Sequence, residues 1–252
     1  NLAGGSATQE LACIIGHLNE YFHILKQHDL LENNSLEKVS VKTGIGGDFF
    51  LEISKFRALR ILASNLAKAY GIDPDLPIQI YAENSSMNFS SQDVDTNILR
   101  STTACMSAVI GNCDHLIINP HDDLKEGMHE FGNRIARNLQ LMMKHEGHLD
   151  KVIDPAAGSY YVENLTVELA KEAWSLFKSI ESEDGFIDSF QKGGIQKMIQ
   201  ETANKRIERF KEGKDVLVGI NKFTLDKTVQ SESKHTSSED KALHPLILEQ
   251  YL

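Results

Sequence analysis

Residues 39–84, "VSVKTGIGGDFFLEISKFRALRILASNLAKAYGIDPDLPIQIYAEN", decide the fold class because their pattern changes from strand to helix and back to strand. Val39 and Val41 alternate with polar residues, as in a half-buried strand. The helical stretch that follows ends at Gly71, a regular helix stop. Apolar and polar residues alternate again at residues 78–81, where a second strand is predicted. Two strands joined by a long helix predict a parallel sheet.

The pattern of strand and helix extends beyond this stretch in both directions. An amphipathic helix is predicted over residues 7–28, and a helix with a capping-box-like start, Ser90 with Asp93 three residues later, follows the second strand. Further elements are predicted at residues 115–119 (a buried strand), near 128–147, 169–180 and 195–210 (helices) and at 215–221 (a last strand). About four strand–helix units result, a pattern shared by a doubly wound sheet and a (β/α)8 barrel. Four units would make about half of a barrel.

The composition excludes several classes of function. With 41% hydrophobic and 25% charged residues, the 252-residue chain is typical of a folded soluble domain with a sizeable core. A net charge of −10, without a cluster of Lys and Arg, argues against a nucleic-acid partner. There is no apolar run of about 18 residues, so no membrane span is expected. Cys13, Cys105 and Cys113 form no C-x-x-C pair and are expected to be reduced thiols in a cytoplasmic protein.

The chain divides into two parts by composition. Residues 1–225 carry the predicted helices and strands, whereas residues 226–252 form a polar linker and a C-terminal tail. Within the tail, "PLILEQYL" is expected to dock as a final helix or strand. The chain starts at Asn1, without Met, and enters a helical pattern almost at once. We therefore expect it to be an excised or processed piece of a longer protein.

Tyr81 and Glu83 are the first candidates for chemistry, because they lie where the second predicted strand ends. A spacing of two residues places both side chains on one face of a strand. Ligands of parallel α/β sheets bind at the carboxyl ends of the strands, where a phenol and a carboxylate could perform acid–base catalysis. The alternative is a hydrogen-bonded pair that braces the loop, and the residues alone leave both interpretations open.

Two other patterns are more typical of structure than of chemistry. The glycines of "GIGGDFF" (residues 44–50) lack the G-x-G-x-x-G spacing, which favours a tight strand-to-helix turn over a phosphate cradle. His121, Asp122 and Asp123 follow a buried strand and, with His129, could bind a metal. They lack the H-x-x-x-H and H-E-x-x-H spacings, so no metal site is expected.

Several long segments carry a family resemblance. They are "GIGGDFFLEISKFRALRIL" (44–62), "FGNRIARNLQLMMKHEG" (131–147), "VIDPAAGSYYVENLTVELAKEAW" (152–174) and "VGINKF" (218–223). Together they closely resemble the adenosylcobalamin-dependent acyl-CoA mutases, above all the methylmalonyl-CoA mutase family. The matches occur in family order with compatible spacing over roughly residues 8–225, which is far more specific than any single motif.

The resemblance implies an α/β fold that is the C-terminal half of a (β/α)8 TIM-type barrel, with about four βα units and extra C-terminal helices. In this family the acyl-CoA threads along the barrel axis, and a separate domain holds adenosylcobalamin, whose Co–C bond breaks to start a radical rearrangement. The cofactor supplies that chemistry while the protein orients the reactants and excludes water. The D-x-H-x-x-G signature of the cobalamin domain does not occur here, so this piece is expected to bind no cofactor.

The sequence departs from the family at positions that face the ligands. Catalytic chains carry R-x-H-x-Q-T-S-G-W-S-L-T before a Q-D-V segment, which is present here at residues 92–94. The family's arginine, histidine, glutamine and tryptophan positions are occupied by Gln79, Tyr81, Glu83 and Met87. A cobalamin-facing glutamate of the family falls on Asp123. The change from Arg to Gln removes a fixed charge and a bidentate fork, and the change from Gln to Glu introduces an anion facing an anionic thioester.

Two further positions bear on CoA. Lys38 and Ser40 fall where catalytic chains have an arginine and a serine that touch CoA. Lys38 keeps the charge without the planar fork, so only weak contact with CoA is expected. In the "DPAAGSYYVE" segment Ala156 stands where catalytic chains have tryptophan, and Ala157 replaces a glycine, as in the small-subunit version.

This pattern is similar to the small, non-catalytic subunit of the heterodimeric mutases. The resemblance implies a chain without catalytic residues, in which Tyr81, Glu83 and Asp123 are degenerate positions on the cofactor face. It implies a large catalytic subunit as partner, with the acyl-CoA substrate and adenosylcobalamin bound at the level of the complex. The alternative is a divergent catalytic mutase chain that acts on a different acyl-CoA. A half-barrel would also leave strand edges unpaired, so self-association or cover by the chain's own tail is expected.

Overall fold

The structure, a computed structural model, describes residues 1–125, 129–224 and 242–251. Its helices and strands are α1 (Ala7–Gln27), β1 (Ser40–Ile45), α2 (Phe49–Tyr70), β2 (Gln79–Asn84), α3 (Thr96–Ile110), β3 (His115–Ile117), α4 (Glu130–His145), α5 (Tyr160–Glu183), α6 (Phe186–Lys192) and α7 (Gly194–Lys211), with 3-10 turns at Ser86–Asn88 and Leu248–Tyr251. No helix in the described ranges combines the length and apolar character needed to cross a membrane.

The three strands form one parallel sheet in the order β1-β2-β3, which confirms the α/β class and the parallel sheet. Ser40 lies opposite Gln79 in the first pair, and Tyr81 lies opposite His115 in the second. Neighbouring strands are joined by α2 and α3, which pack against each other. Right-handed crossovers between consecutive strands place both helices on the same side of the sheet.

The hydrophobic core lies between this side of the sheet and a layer of helices in which α1, α2 and α5 pack on one another. Ile80 and Ala82 of β2 are fully buried in it. The largest buried side chains that the helices contribute are Leu11, Ile15, Phe22, Phe56, Leu59 and Leu62. The alternate residues of β2 point to the opposite side, on which no helix of the described residues forms a packed layer.

Local sequence signals explain where the two longest early helices begin and end. Ser6 and Gln9 form a capping box at the start of α1, in which each side chain bonds the other's backbone N–H. Asp48 caps α2 by accepting a hydrogen bond from the Leu51 amide at 3.2 Å. Gly71 ends α2 with φ of 74°, the left-handed conformation that glycine adopts without strain. The glycine-rich stretch before α2 is therefore the tight strand-to-helix turn that the sequence favours.

The predicted helix start at Ser90 is wrong, because α3 begins six residues later at Thr96. The Ser90 hydroxyl does accept hydrogen bonds from the amides of Gln92 and Asp93, at 3.2 and 3.0 Å. These bonds close a turn, and the hydroxyl itself donates to Glu249 Oε1 at 2.7 Å. A capping pattern therefore occurs here without a helix.

The last strand predicted at residues 215–221 is also wrong, so the described ranges contain three strands and not about four. Gly219 has φ of 76°, which breaks an extended backbone. The Asn221 side chain accepts from the Leu217 amide at 2.8 Å and closes a turn, and the stretch forms only an isolated bridge between Val218 and Lys222. Two other strands have shifted bounds, since β2 extends to Asn84 and β3 covers only part of residues 115–119.

The C-terminal tail docks in part as expected. Most of the predicted linker, residues 225–241, lies outside the described residues, as do 126–128 and the last residue. Leu246 and Leu248 pack on α7 with Phe210 and Ile220, and Leu246 N donates to Leu2 O at 2.9 Å. The docked element is a 3-10 turn and not a regular helix or strand.

Candidate functional site

The sheet face opposite the helices, here called the open face, carries most of the predicted site residues. Residues in register on neighbouring strands point to the same side, so Lys42, Tyr81 and His115 form one row across the sheet. Glu83 lies on the same face, two residues beyond Tyr81, in register with Gly44. The sequence prediction that Tyr81 and Glu83 share a face is therefore confirmed, although both lie within the strand and not beyond its end.

Glu83 forms an ion pair on the open face. Its Oε2 lies 2.7 Å from Lys42 Nζ, and its side chain is 15% exposed against 58% for the lysine. The Glu83 carboxylate is thus mostly shielded from solvent, whereas the Lys42 side chain is largely exposed to it. Sequence analysis did not single out Lys42, because the partner comes from a strand about 40 positions earlier and depends on the register of β1 with β2.

Tyr81 stacks on His115 of β3, with the ring centroids 4.1 Å apart and an angle of 18° between the ring planes. The two rings lie directly opposite one another in the parallel register. No hydrogen bond joins Tyr81 to Glu83 within the described part of the chain, so the bracing pair considered from the sequence does not form. Each of these two residues is instead paired across the sheet with a neighbouring strand.

Two asparagines hold the carboxyl ends of β2 and β3 together. Asn84 Oδ1 accepts from the Asn119 amide at 2.6 Å, and Asn119 Nδ2 donates to Asn84 O at 3.0 Å. Asn84 Nδ2 also donates to Ser101 Oγ of α3 at 3.0 Å. Sequence analysis missed this contact, but the signal was present, since the strand segments "YAEN" and "HLIIN" both end in asparagine.

Asp123 lies at the same edge of the sheet, in the loop after β3. Its Oδ2 accepts a hydrogen bond from Ser86 Oγ, in the turn after β2, at 2.9 Å, and the residue is exposed. The structure therefore places Asp123 at the strand-end edge that Glu83 approaches. The bond to Ser86 joins the two loops that leave β2 and β3.

The two predicted CoA-contact residues lie at the opposite end of the sheet. Ser40 is the first residue of β1 and is in register with Gln79, about 13 Å along the strand from Glu83. Lys38 precedes β1, and its ammonium lies 2.5 Å from Glu32 Oε2 in an exposed ion pair. The structure thus separates Lys38 and Ser40 from the other predicted site residues and does not bring them into one cluster.

The metal site considered for His121 and its neighbours has no support in the described ranges, which contain no group of three His, Cys, Asp or Glu side chains able to hold an ion. His121 is buried and packs edge-on against the Phe131 ring, with centroids 5.9 Å apart. Asp122 Oδ1 lies 3.3 Å from His129 Nδ1. This pair links the loop after β3 to the start of α4.

Two acidic side chains of the segment "DPAAGSYYVE" bind one arginine of α2. Arg57 Nη2 lies 2.7 Å from Glu163 Oε1, and Arg57 Nη1 contacts Asp154 Oδ1. Gly158, with φ of 80°, donates its amide to the same Glu163 oxygen at 3.0 Å. That amide and the guanidinium lower the pKa of the Glu163 carboxyl. The two acids of the segment therefore have a structural role, which is to fix the loop before α5 on α2.

A buried ion cluster lies at the outer edge of β1. Lys55 of α2 has a fully buried ammonium that lies 2.9 Å from Glu10 Oε2 and 2.6 Å from Glu52 Oε2 and also contacts Gly44 O. The Gly44 amide donates to Glu10 Oε1 at 3.0 Å. Charged side chains therefore satisfy both backbone groups that Gly44 turns away from β2, and this part of the strand edge is covered.

Electrostatics within this cluster favour the ionised forms of both partners. Burial raises the pKa of Glu10, but Lys55 and the hydrogen bond from the Gly44 amide act in the opposite direction, and the pKa is lowered to about 2. Burial lowers the pKa of Lys55, whereas the two carboxylates raise it, and the net direction is upward. Glu10 and Lys55 consequently stay charged at neutral pH inside the fold.

A parallel α/β sheet with amides and carboxylates at its strand ends, and a polar face on which the described residues place no helix, is typical of α/β domains that bind ligands at their strand ends. The chain belongs to the methylmalonyl-CoA mutase family, since the model of that family matches residues 1–245.

Individual relatives agree with this assignment. The chain is similar to the methylmalonyl-CoA mutase small subunit of Porphyromonas gingivalis, with 34% identity over 253 residues, 97% of this chain and 41% of the relative. Methylmalonyl-CoA mutase of Rhizobium meliloti is 34% identical over 89% of this chain and 32% of its own length. The methylmalonyl-CoA mutase small subunit of Streptomyces virginiae is 34% identical over 88% of this chain and 36% of its own. The chain thus spans roughly a third to two-fifths of the length of these relatives.

Proposed function

We propose that this chain is part of the small, non-catalytic subunit of an adenosylcobalamin-dependent methylmalonyl-CoA mutase. In this proposal, residues 1–225 belong to the second half of a (β/α)8 substrate-type barrel and residues 226–252 form a linker and tail. The holoenzyme interconverts methylmalonyl-CoA and succinyl-CoA in the cytoplasm. The chain's role is to stabilise and position a large catalytic subunit, and relatives named as small subunits support this role.

The observation that carries the proposal is the pairing of side chains on the open face. At the family's ligand-facing positions, Glu83 is held by Lys42 at 2.7 Å and Tyr81 is stacked on His115 at 4.1 Å between centroids. An acyl-CoA that entered along this face would have to displace the ring pair and the ion pair. It would also meet the Glu83 carboxylate, and it would lack the bidentate fork of the arginine position, which is Gln79.

The residues present do not fit adenosylcobalamin either. Glu83 is engaged by a lysine, Asp123 accepts from Ser86, and Tyr81 offers a stacked phenol where catalytic chains offer an imidazole. We therefore assign the cofactor to the large subunit and derive no catalytic step for this chain. Lys38 and Ser40 would make at most a weak contact with CoA, because Lys38 would first have to leave Glu32.

The test is a comparison of the full-length protein alone with its mixture with the large subunit. Calorimetric titration with methylmalonyl-CoA and with adenosylcobalamin is expected to show no binding to the single chain, and mutase activity is expected only in the mixture. A large subunit that is fully active and stable on its own would contradict the supporting role. Tight binding of a CoA ester by the single chain would favour the alternative, a divergent catalytic chain that acts on another acyl group.

A pair of substitutions distinguishes a paired face from a working site. Glu83→Gln restores the family's residue type and breaks the ion pair with Lys42. The control Glu32→Gln breaks a more exposed pair with Lys38 away from the strand ends. Neither variant is expected to lower the activity of the mixture by more than about twofold. A loss of tenfold or more in Glu83→Gln alone would mean that the carboxylate takes part in the reaction.

A further inference from the structure

A cleft of about 900 Å³ lies above the carboxyl ends of β1 and β2, between the start of α2, α3 and α7. Its floor is apolar and includes Ile45, Met87, Phe89, Leu217 and Leu248. The paired side chains of the open face do not line it within the described part of the chain. Its size is that of a pocket for a small organic ligand.

The charges around the cleft are opposite in sign to the charge of the chain. Four cationic side chains and two anionic ones line it, in a protein whose formal net charge is −10. They are Arg100, Arg206, Arg209 and Lys214, and Asp48 and Asp215. A local cationic surplus in an acidic protein favours anionic ligands.

Two of these cations are already neutralised. Arg209 binds Asp215 through two nitrogens, with Nη2–Oδ1 at 2.7 Å and Nε–Oδ2 at 3.1 Å. Lys214 lies 2.6 Å from Glu212 Oε2. Both pairs are exposed, so these side chains contribute little to the binding of another anion.

The other two, Arg100 and Arg206, form no ion pair with any described residue. Arg100 Nη1 donates to Asn97 Oδ1 at 2.8 Å and its Nη2 donates to Val218 O. Arg206 Nη2 donates to Gly5 O at 3.2 Å, and its Nη1 lies 3.8 Å from the thioether of Met87. Burial lowers the pKa of both guanidinium groups. Neutral acceptors thus hold both guanidinium groups. The carboxylates that act on them, Asp93 and Glu249 for Arg100 and Glu10, Glu52 and Asp215 for Arg206, lie beyond ion-pair distance.

We propose that this cleft binds a small organic carboxylate, with its apolar body on the cleft floor and its carboxylate on Arg100 and Arg206. Guanidinium groups match carboxylates in geometry and are stronger partners where water is partly excluded. A phosphate would be expected at the N-terminus of α2, but Asp48 caps that terminus and repels a second anion. The proposal does not rest on the mutase assignment: it shares one family position, Met87, with the ligand-facing set, and its two arginines belong to neither that set nor the open face.

The experiment measures the dissociation constant of octanoate for the full-length protein by calorimetry, with octanamide as the neutral analogue. We expect octanoate to bind with submillimolar affinity and octanamide to bind at least tenfold more weakly. Arg206→Gln and Arg100→Gln are each expected to weaken octanoate binding at least fivefold and to leave octanamide unaffected. Arg206→Lys keeps the charge without the fork and should recover part of the affinity.

Two matched controls locate the binding site. Arg209→Gln removes a paired arginine of the same cleft, and Lys42→Gln removes the cation of the open face, and neither is expected to change octanoate affinity. Thermal unfolding of each variant establishes that it is folded. If Arg206→Gln does not fold, the test rests on Arg100→Gln and Arg206→Lys. Three results would overturn the proposal. They are equal affinity for octanoate and octanamide, no octanoate binding up to about 5 mM, which is well above the expected dissociation constant, and loss of affinity in Lys42→Gln alone.

Discussion

Replacing Lys55 by methionine should destabilise the protein severely, because it leaves two buried carboxylates without their shared cation. The ammonium of Lys55 lies 2.9 Å from Glu10 and 2.6 Å from Glu52 and is fully buried. Removing one partner of a buried ion pair costs about 3–5 kcal/mol. This is a large part of the roughly 5–15 kcal/mol by which a typical domain is stable.

The pKa of Glu10 gives an independent magnitude. A pKa of about 2, against 4.5 for an ordinary glutamate, corresponds to about 3 kcal/mol of stability at neutral pH. Because the pKa is lowered in the folded state, this contribution is present above pH 4.5 and is lost as the pH falls toward 2. Lys55 makes the largest of the contributions that lower the pKa, so removing this lysine should remove a large share of the stabilisation.

The assay is urea unfolding of the parent and of Lys55→Met at pH 7 and at pH 4.5. We expect a loss of about 3–5 kcal/mol at pH 7. In the variant, burial without the lysine raises the Glu10 pKa, so Glu10 takes up a proton more readily and no longer carries an unpaired buried charge. The difference in free energy of unfolding between parent and variant should therefore be smaller at pH 4.5 than at pH 7. Lys171→Met is the matched control, since Lys171 forms an exposed pair with Glu168 at 2.8 Å, and its cost should stay below about 0.5 kcal/mol. A loss in Lys55→Met below about 1 kcal/mol, or one independent of pH, would refute the reasoning.

Three further outcomes follow from other contacts. Asn84→Ala leaves the Asn119 amide without its acceptor and should lower the free energy of unfolding by about 1–3 kcal/mol in urea titrations, whereas a change near zero would mean that water replaces the side chain. Arg57→Gln should speed amide hydrogen exchange in residues 154–163 at least severalfold while α1 exchanges as before, and equal exchange in this loop would contradict its anchoring by Arg57. Because β3 has a strand partner on one side only within the described residues, residues 1–252 expressed alone should self-associate at micromolar concentrations, and a strictly monomeric species in sedimentation velocity would contradict that prediction.

The sequence predicts those parts of the fold that depend on neighbouring residues. The apolar periodicity of α1 and α2, the Ser6 and Asp48 caps and the stop at Gly71 lie within a few positions of the elements that they define. The start of α3 could not be predicted in the same way. Ser90 has the residues of a cap, but it is held in a turn by Glu249, which is 159 positions later in the chain.

The candidate site was predictable to the same extent. The period of two in a strand places Tyr81 and Glu83 on one face, and the resemblance identified that face as the ligand side. Their partners, Lys42 and His115, could not be found from either, because the pairing depends on the register of three strands that are separate in the chain. These two pairs decide whether the side chains of the open face are engaged with each other or available to a ligand.

The two hydrogen bonds between Asn84 and Asn119 differ from the ion pair on the sheet, because they join neutral amide groups. Neither side-chain amide ionises in the range of roughly pH 2 to 12 over which protein side chains titrate. Dissolved ions screen the half-exposed pair between Lys42 and Glu83, whereas they act little on uncharged bonds. The spacing of β2 and β3 should consequently stay constant as salinity rises, whereas the ion pair on the sheet should weaken. The carboxyl ends of β2 and β3 therefore keep a fixed geometry, and only the strength of the neighbouring ion pair varies with salt.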